Sequence, residues 1–351
     1  MESANAALSP LKIKERYQKL KEEQPGVRAR DAAGQLEVSE AELVASRIGD
    51  GVIRLNTLWE EMLPAVEAFG KVMALTRNEY AVHERKGVYS NGNIGKPHGI
   101  FVNPDIDLRL FMGGWTFAFA VEEETKAGLR RSLQFFDKSG TAIHKIYLVN
   151  DESLPAYEAY IEKYRAQEQT AELETQPAQP PKADRPDEEI DRDGFRAAWE
   201  GLKDTHDFFP MLKKFDIGRV QALRLIGEDF AYRVKPESLR GILNLAAERE
   251  CEIMIFVGNN SCIQIYTGPV KNLKEYGAWY NILDPDFNLH LREDAIDSAW
   301  VVRKPTDDGT VTSLELYDKE GGNIALLFGK RKPGIPELEL WRDIIGQLER
   351  S

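Results

Sequence analysis

Two stretches of the chain recur at one fixed spacing of 181 residues, and this repeat limits the possible folds more than any other feature. N-P-D-I-D-L-R-L-F at 103–111 lines up with D-P-D-F-N-L-H-L-R at 284–292. R-S-L-Q-F-F-D-K-S-G at 131–140 lines up with T-S-L-E-L-Y-D-K-E-G at 312–321. Because both matches share one register without a gap, the chain is predicted to be a tandem duplication of one domain.

A weaker match, S-R-I-G-D-G from Ser46 with R-L-I-G-E-D from Arg224, extends the repeat toward the start of each half. Between the halves, residues 166–192 contain four prolines, no aromatic residue and many charged and glutamine side chains. Such a segment buries too little apolar surface to offset its ordering entropy. The predicted organisation is a first repeat, a linker and a second repeat, at 1–165, 166–192 and 193–351.

Each half runs from helical patterns to alternating strand patterns. In the second half, E-S-L-R-G-I-L-N-L-A-A-E-R has helical spacing, and C-E-I-M-I-F-V-G-N-N-S-C-I-Q-I-Y-T-G has two apolar runs around a turn. T-S-L-E-L-Y-D-K-E-G-G-N-I-A-L-L-F-G predicts a second hairpin, and P-E-L-E-L-W-R-D-I-I-G-Q-L a closing helix. Hairpins without crossover helices give antiparallel sheets, so the predicted class is α+β, each half a large antiparallel sheet flanked by helices.

The composition bounds the functional classes. No apolar run of about eighteen residues occurs, so no membrane insertion is expected. The polar start M-E-S-A-N-A-A-L-S-P and the presence of only two cysteines favour a cytoplasmic location. The net charge of −12 argues against a nucleic-acid partner, although a local basic pocket stays open.

Common catalytic motifs fail on particular residues. His83 does not begin an H-E-x-x-H zinc motif, because Gly87 stands at the second histidine position. G-N-I-G-K-P-H-G resembles a phosphate loop, but Pro97 and the lack of a following helix argue against it. The early segment R-A-R-D-A-A-G-Q-L-E-V-S-E-A-E-L-V has helix-turn-helix spacing. In its acidic surroundings a helical pair packed on the sheet is the favoured interpretation.

One histidine stands out, His206 in D-T-H-D-F-F-P-M-L-K-K-F. Asp204 or Thr205 can cap the following helix, which places the imidazole at a helix start beside large apolar residues. This arrangement suits an axial ligand of a flat apolar metallocofactor. A histidine that only packs or faces solvent explains the spacing as well.

Several motifs together resemble one known family. D-T-H-D-F-F with R-V-Q-A-L-R-L, N-P-D-I-D-L-R-L-F with W-T-F-A-F-A-V, and the C-terminal F-G-K-R-K-P-G are similar to the HemS/HmuS/ChuS-like hemin-degrading factors, cytoplasmic heme-binding proteins of bacterial heme uptake. The resemblance covers nearly the whole chain, including duplication and linker. It implies heme as the bound cofactor, lying between the halves against the second domain.

The resemblance also implies the roles of single residues. His206 matches the proximal iron ligand of the family, and Arg109, with Phe111 beside it, matches an arginine over the opposite heme face. Propionate contacts are expected from cations at matching positions, which are Arg219, Lys304 and Arg331. His83 aligns near a residue linked with a second heme site in some relatives, and whether it forms one here is open.

The resemblance leaves two functions open. As a carrier in heme transport and iron acquisition, the protein receives heme from an inner-membrane importer and carries it toward degradation by a separate heme oxygenase. As an enzyme, it opens the macrocycle itself with oxygen. No flavin or nicotinamide motif is present in the sequence, so the enzyme would need an external reductant, which favours the carrier.

Overall fold

Helices come first and strands follow in the first half of the chain. The structure, a computed structural model, describes residues 8–126, 128–332 and 334–351. The elements of the first half are α1 (Pro10–Glu23), α2 (Ala29–Gln35), α3 (Glu40–Ala45), β1 (Val52–Arg54), α4 (Trp59–Ala65), β2 (Val72–Arg77), β3 (Ala81–Gly87), β4 (Gly92–Ile94), β5 (His98–Val102), β6 (Asp107–Phe111), β7 (Phe117–Thr125), β8 (Gly128–Phe136), β9 (Ala142–Leu148) and α5 (Leu154–Tyr164).

The second half repeats this order. Its elements are α6 (Arg192–Glu200), α7 (Phe208–Phe215), α8 (Arg219–Leu225), β10 (Ala231–Val234), α9 (Ser238–Glu248), β11 (Ile253–Gly258), β12 (Cys262–Gly268), β13 (Leu273–Tyr276), β14 (Trp279–Leu283), β15 (Phe287–Arg292), β16 (Ser298–Lys304), β17 (Val311–Tyr317), β18 (Asn323–Gly329) and α10 (Glu339–Ile345). The predicted helix over α9, the strands of the two predicted hairpins and the closing helix are confirmed. Residues 166–186 form no helix or strand.

The chain divides into two compact units, each of which includes a short piece from the other half of the sequence. The first unit comprises 1–77, 85–179 and 259–263. The second comprises 78–84, 180–258 and 264–351. Both short pieces lie at turns between consecutive strands, β2 to β3 and β11 to β12.

Strand pairing within each unit is antiparallel, as predicted. In the first unit β1, β7, β8, β9 and β2 pair in that order, and β4, β5 and β6 form a three-stranded ribbon. In the second unit the order is β10, β16, β17, β18 and β11, and the ribbon is β13, β14 and β15. The fold class is therefore α+β with antiparallel sheets.

The strand register repeats the sequence spacing residue by residue. Phe119 faces Gln134 across β7 and β8, and 181 residues later Trp300 faces Glu315 across β16 and β17. The register also shifts at one equivalent place, between Phe135 and Phe136 and again between 316 and 317. Because a single-residue slip would move every side chain to the other face, this agreement places equivalent side chains on equivalent faces.

Helices cover both faces of each five-stranded sheet. In the first unit, α4 and α5 pack on Leu133 and Phe135, whereas α3 packs on Phe119 and Phe136. In the second unit, α9 and α10 cover one face. The opposite face carries Trp300 and the other members of a cluster with α6, α7 and α8. Both faces are therefore partly buried, which explains strands that are apolar on both sides.

The two short exchanged pieces are held by equivalent asparagines. Within the second unit, Asn78 donates to the carbonyl of Ile324 at 2.8 Å and accepts from two backbone N–H groups of its own turn. Within the first unit, Asn259 donates to the carbonyl of Ile143 at 2.9 Å and accepts from its own turn likewise. In each unit, an asparagine side-chain amide thus holds the turn that comes from the other half of the sequence.

The other segments singled out in the sequence also have defined places. The glycine-rich stretch forms the turn between β4 and β5, so a strand follows it. The early helical pair, α2 and α3, packs through small apolar residues in the first unit. No helix in the described part of the chain combines the length and apolar character needed to cross a membrane.

Candidate functional site

The imidazole of His206 is held by a carboxylate on one side and exposed on the other. His206 lies in a 3-10 turn, Thr205–Asp207, that leads directly into α7. Asp204 caps this turn and accepts from the backbone N–H of His206 at 2.8 Å and from its Nδ1 at 2.5 Å. The side chain of His206 is 84% exposed. In the neutral imidazole, Nε2 then carries the lone pair, the arrangement typical of metal-binding histidines.

Asp204 is kept ionised by its surroundings. The backbone N–H of His206 is the main reason that the pKa of Asp204 lies below its usual value. The imidazole and the charge of Arg331 lower the pKa further, against a partial burial that raises it. An ionised carboxylate only accepts hydrogen bonds, so Nδ1 is the nitrogen that carries the proton.

Phe208, two residues after His206, is buried and lies close to two cations. Its ring is buried and packs edge-on against Trp199, with 5.0 Å between ring centroids. The Arg219 guanidinium carbon lies 5.1 Å from the centroid of the Phe208 ring, and Lys304 Nζ lies 4.4 Å from it. These contacts anchor the start of α7, and with it the turn that carries His206.

Both cations bind a buried carboxylate, Glu315. Its two oxygens accept from Arg219 Nε and Nη2, each at 3.0 Å, and from Lys304 Nζ at 2.6 Å. Ser313 Oγ at 3.0 Å and Tyr317 OH at 2.5 Å complete the set. Glu315 is 0% exposed, whereas 29% of the Arg219 side chain is exposed.

The electrostatics of this cluster are set by burial and by charge pairing. Burial alone would raise the pKa of Glu315, but Arg219 and Lys304 outweigh it and hold that pKa far below its usual value. Burial lowers the pKa of Lys304, an effect that the charge of Arg219 strengthens and that of Glu315 opposes. With all three groups charged, the cluster keeps one net positive charge.

A half-buried apolar surface lies next to the cluster on the same sheet face. Leu326 is paired with Glu315 in register and Phe328 with Ser313. On the next strand, Phe256 faces Leu326 and Met254 faces Phe328. The Phe256 and Phe328 rings pack edge-on at 5.1 Å between centroids. We call Met254, Phe256, Leu326 and Phe328 the apolar floor.

Arg109 and Phe111 lie on β6 in the first unit. Their face of the ribbon also carries exposed apolar side chains on β5, among them Ile100, which is paired with Arg109 in register. Arg109 is half-buried and bound to Asp107. Burial raises the pKa of Asp107, although Arg109 opposes the shift. The Phe111 ring packs edge-on against His98 at 5.8 Å between centroids.

Four of the predicted residues, His206, Arg219, Lys304 and Arg331, thus belong to the second unit, and two belong to the first. Sequence reasoning did not include Asp204 as the partner of the imidazole, Glu315 or the apolar floor. The sequence did contain a signal for the apolar floor. In I-M-I-F-V and I-A-L-L-F both the odd and the even positions are apolar, which predicts strands whose two faces are both covered by other parts of the protein. His83 is buried in β3 and packs edge-on against Phe287 at 4.9 Å between centroids.

Comparisons with known proteins agree with this architecture. The family model described as the haemin-degrading HemS.ChuX domain matches twice, at residues 37–164 and 216–348. The chain therefore belongs to the HemS/ChuX family, as a tandem of two such domains. It is 43% identical over 343 residues to the hemin transport protein HemS of Yersinia enterocolitica, covering 97% of this chain and 98% of that protein.

Two solved structures extend the comparison. Holo-PhuS, a heme-binding protein from Pseudomonas aeruginosa, has a TM-score of 0.96 and 47% identity, covering 98% of this chain and 100% of PhuS. ChuS, described as an E. coli heme oxygenase, has a TM-score of 0.87 and 38% identity, covering 96% of this chain and 99% of ChuS. The relatives thus include one protein described as a transport protein, one described as heme-binding and one described as an enzyme.

Proposed function

We propose that this protein binds heme as a cargo of bacterial heme uptake and carries it toward degradation in the cytoplasm. The observation that carries the proposal is His206, an exposed imidazole whose Nδ1 is held by an ionised carboxylate while Nε2 faces outward. Similarity to HemS and PhuS supports the same ligand. An inner-membrane importer would supply the heme, and a heme oxygenase would receive it.

The residues of the second unit have complementary roles in this proposal. His206 binds the iron through Nε2, and Asp204 keeps the ring in the required tautomer and orientation. The apolar floor offers a surface for the macrocycle, which is largely apolar. Arg219 and Arg331 are the proposed partners of the propionates, because guanidinium groups bind carboxylates through paired hydrogen bonds. Lys304, bound to Glu315, acts with Arg219.

Arg109 and Phe111 are proposed to act on the heme face opposite His206. A guanidinium is permanently charged and donates through several N–H groups, so Arg109 can orient an oxygen-containing ligand there. Its bond to Asp107 fixes the side chain on the ribbon face that also carries Phe111.

A second candidate function, heme degradation by this protein itself, is favoured by its 38% identity to ChuS. An enzyme would need oxygen and electrons from an external reductant. The chain would contribute the proximal ligand His206 and the cation Arg109.

Replacing His206 by alanine tests the ligand assignment. We expect weaker heme binding and shifted Soret and visible bands, with residual binding from the apolar contacts. His290→Ala is the matched control, since His290 is half-buried and its Nδ1 lies 2.7 Å from Asn281 Oδ1. A wild-type spectrum and affinity in His206→Ala would remove the assignment.

A second experiment separates carrier from enzyme. The heme-loaded protein is given reductant and oxygen, with and without catalase, and the Soret band and products are followed. Loss of the Soret band only without catalase indicates peroxide damage and supports the carrier. A defined ring-opened product formed at the same rate with catalase present supports the enzyme.

A further inference from the structure

Two of the three cations predicted to hold the propionates, Arg219 and Lys304, already have an internal carboxylate partner. Glu315 occupies Nε and Nη2 of Arg219 and the ammonium group of Lys304. A ligand carboxylate that approaches Arg219 therefore finds the Nε and Nη2 side of the guanidinium already bound to Glu315, is left with its remaining N–H groups, and meets the negative charge of Glu315 beside them.

We propose that Glu315 weakens the binding of a ligand carboxylate to Arg219 and Lys304, so that the ligand can be released. The proposal rests on the heme-binding function proposed above. By holding both cations, Glu315 reduces their combined charge to one and leaves only the exposed part of Arg219 for the ligand.

The sheet itself does not require a carboxylate at this place. The equivalent residue of the first unit is Gln134, also buried and also paired in register with an aromatic residue on the neighbouring strand, Phe119. A glutamine is therefore compatible with this strand position. A carboxylate that takes four charge-assisted hydrogen bonds from Arg219, Lys304 and Tyr317 has an electrostatic effect that an amide lacks.

The test compares three variants, Glu315→Gln, Glu315→Gln with Lys304→Met, and Lys304→Met alone. The double variant keeps Arg219 charged without a competing carboxylate and without an unpaired buried lysine. Lys304→Met alone leaves Arg219 bound to Glu315. The probes are heme and its dimethyl ester, which lacks both carboxylates, and the main readout is the rate of transfer to an excess of apomyoglobin.

We expect heme to leave Glu315→Gln and the double variant about tenfold more slowly than the wild type, the change produced by one freed hydrogen bond to a charged group. Release from Lys304→Met should be no slower than from the wild type. The dimethyl ester should leave all four proteins at similar rates, which separates a carboxylate effect from a change in packing.

Equal or faster heme release from both Glu315→Gln and the double variant would overturn the proposal and show that Glu315 only stabilises the fold. Equal slowing of heme and ester would also overturn it, since the effect would not depend on the carboxylates. If the wild type bound neither probe, the proposed function itself would fail. Thermal unfolding of the ligand-free variants verifies that each remains folded.

Discussion

The two units begin equivalent helices with opposite charges, and the difference separates a fully buried ion pair from one that is partly exposed. In the first unit, α3 begins with Glu40, which pairs with Lys145 on β9, and both side chains are buried. In the second unit, α8 begins with Arg219, which pairs with Glu315 on β17 and remains partly exposed. Both members of the first pair are buried, with the charges of Arg77 and Arg30 acting on Glu40. The second pair, joined by Lys304, leaves part of Arg219 exposed.

The helix starts themselves reflect this difference. An acidic residue in the first turn complements the helix dipole, and Ser39 caps α3 with a complete capping box. Gly218 precedes α8 without a side-chain cap, and Arg219 opposes the dipole. Of these two equivalent helices, only α8 breaks the local rule, at the residue proposed to bind a propionate. Departures of this kind are expected at functional or strained sites.

The largest expected effect comes from breaking the fully buried pair. Lys145→Met removes the ammonium group that pairs with the buried Glu40 and leaves this carboxylate with the charges of Arg77 and Arg30. We expect it to lower the free energy of unfolding by about 3 kcal/mol. Lys304→Met should cost clearly less, because Arg219 still binds Glu315. Urea denaturation measures both. Equal losses would mean that the two clusters do not differ in the way described.

The turns at Asn78 and Asn259 test whether equivalent residues of the two units contribute equally to the free energy of unfolding. Asn78→Ala removes hydrogen bonds to the carbonyls of Gly258 and Ile324, and Asn259→Ala removes the equivalent bonds to Arg77 and Ile143. Each change also removes the bonds from two turn amides. We expect each change to cost about 2–3 kcal/mol, and the two costs to agree within about 0.5 kcal/mol. The measurement is again urea denaturation. A large loss in one variant only would show that one unit alone depends on its incoming turn.

The units also differ in core polarity. In the first unit, His144 is buried, with Nε2 2.6 Å from Tyr89 OH and Nδ1 2.8 Å from Thr76 Oγ1. At the three equivalent positions of the second unit the residues are apolar, Val257, Val270 and Ala325. Burial lowers the pKa of His144 from 6.5 to about 3. The first unit therefore holds an imidazole that stays neutral in mild acid.

This imidazole predicts a pH dependence that the three equivalent apolar residues of the second unit cannot produce. Below pH 6.5 the unfolded chain binds a proton at His144 that the folded chain does not, so stability falls with falling pH until about pH 3. From pH 6.5 to 5 the loss should approach about 1.4 kcal/mol per pH unit. His144→Gln should flatten this slope, whereas His98→Ala, at an exposed site, should keep it. An unchanged slope in His144→Gln would place the sensitivity elsewhere.

The sequence predicted the fold better than the site, for physical reasons. The spacing of 181 residues was sufficient for the duplication, because register ties a sequence repeat to equivalent strand positions. The assignment of the turn at Asn78 to the second unit, and of the turn at Asn259 to the first, could not be predicted. It depends on contacts between residues far apart in the sequence, which no local pattern encodes. Glu315 was missed because a charged residue in an alternating strand usually faces solvent, and only the covering helix α8 makes this face an interior.

The smallest expected effect comes from the N-cap of α3, and it tests whether the difference between the starts of α3 and α8 contributes to the free energy of unfolding. Ser39 Oγ accepts from the backbone N–H of Glu42 at 3.2 Å, and the Glu42 carboxylate accepts from the backbone N–H of Ser39 at 2.8 Å. Ser39→Ala should lower the free energy of unfolding by about 1 kcal/mol, and Ser39→Gly by only a few tenths. Thermal and urea unfolding, compared with the wild type, measure both changes. Gly218 offers α8 no side-chain cap, so the N-cap difference between the two helices is the few tenths that separate serine from glycine. If Ser39→Ala costs nothing, the capping box adds no stability to α3, and the two helix starts differ only in the charge of their first residue.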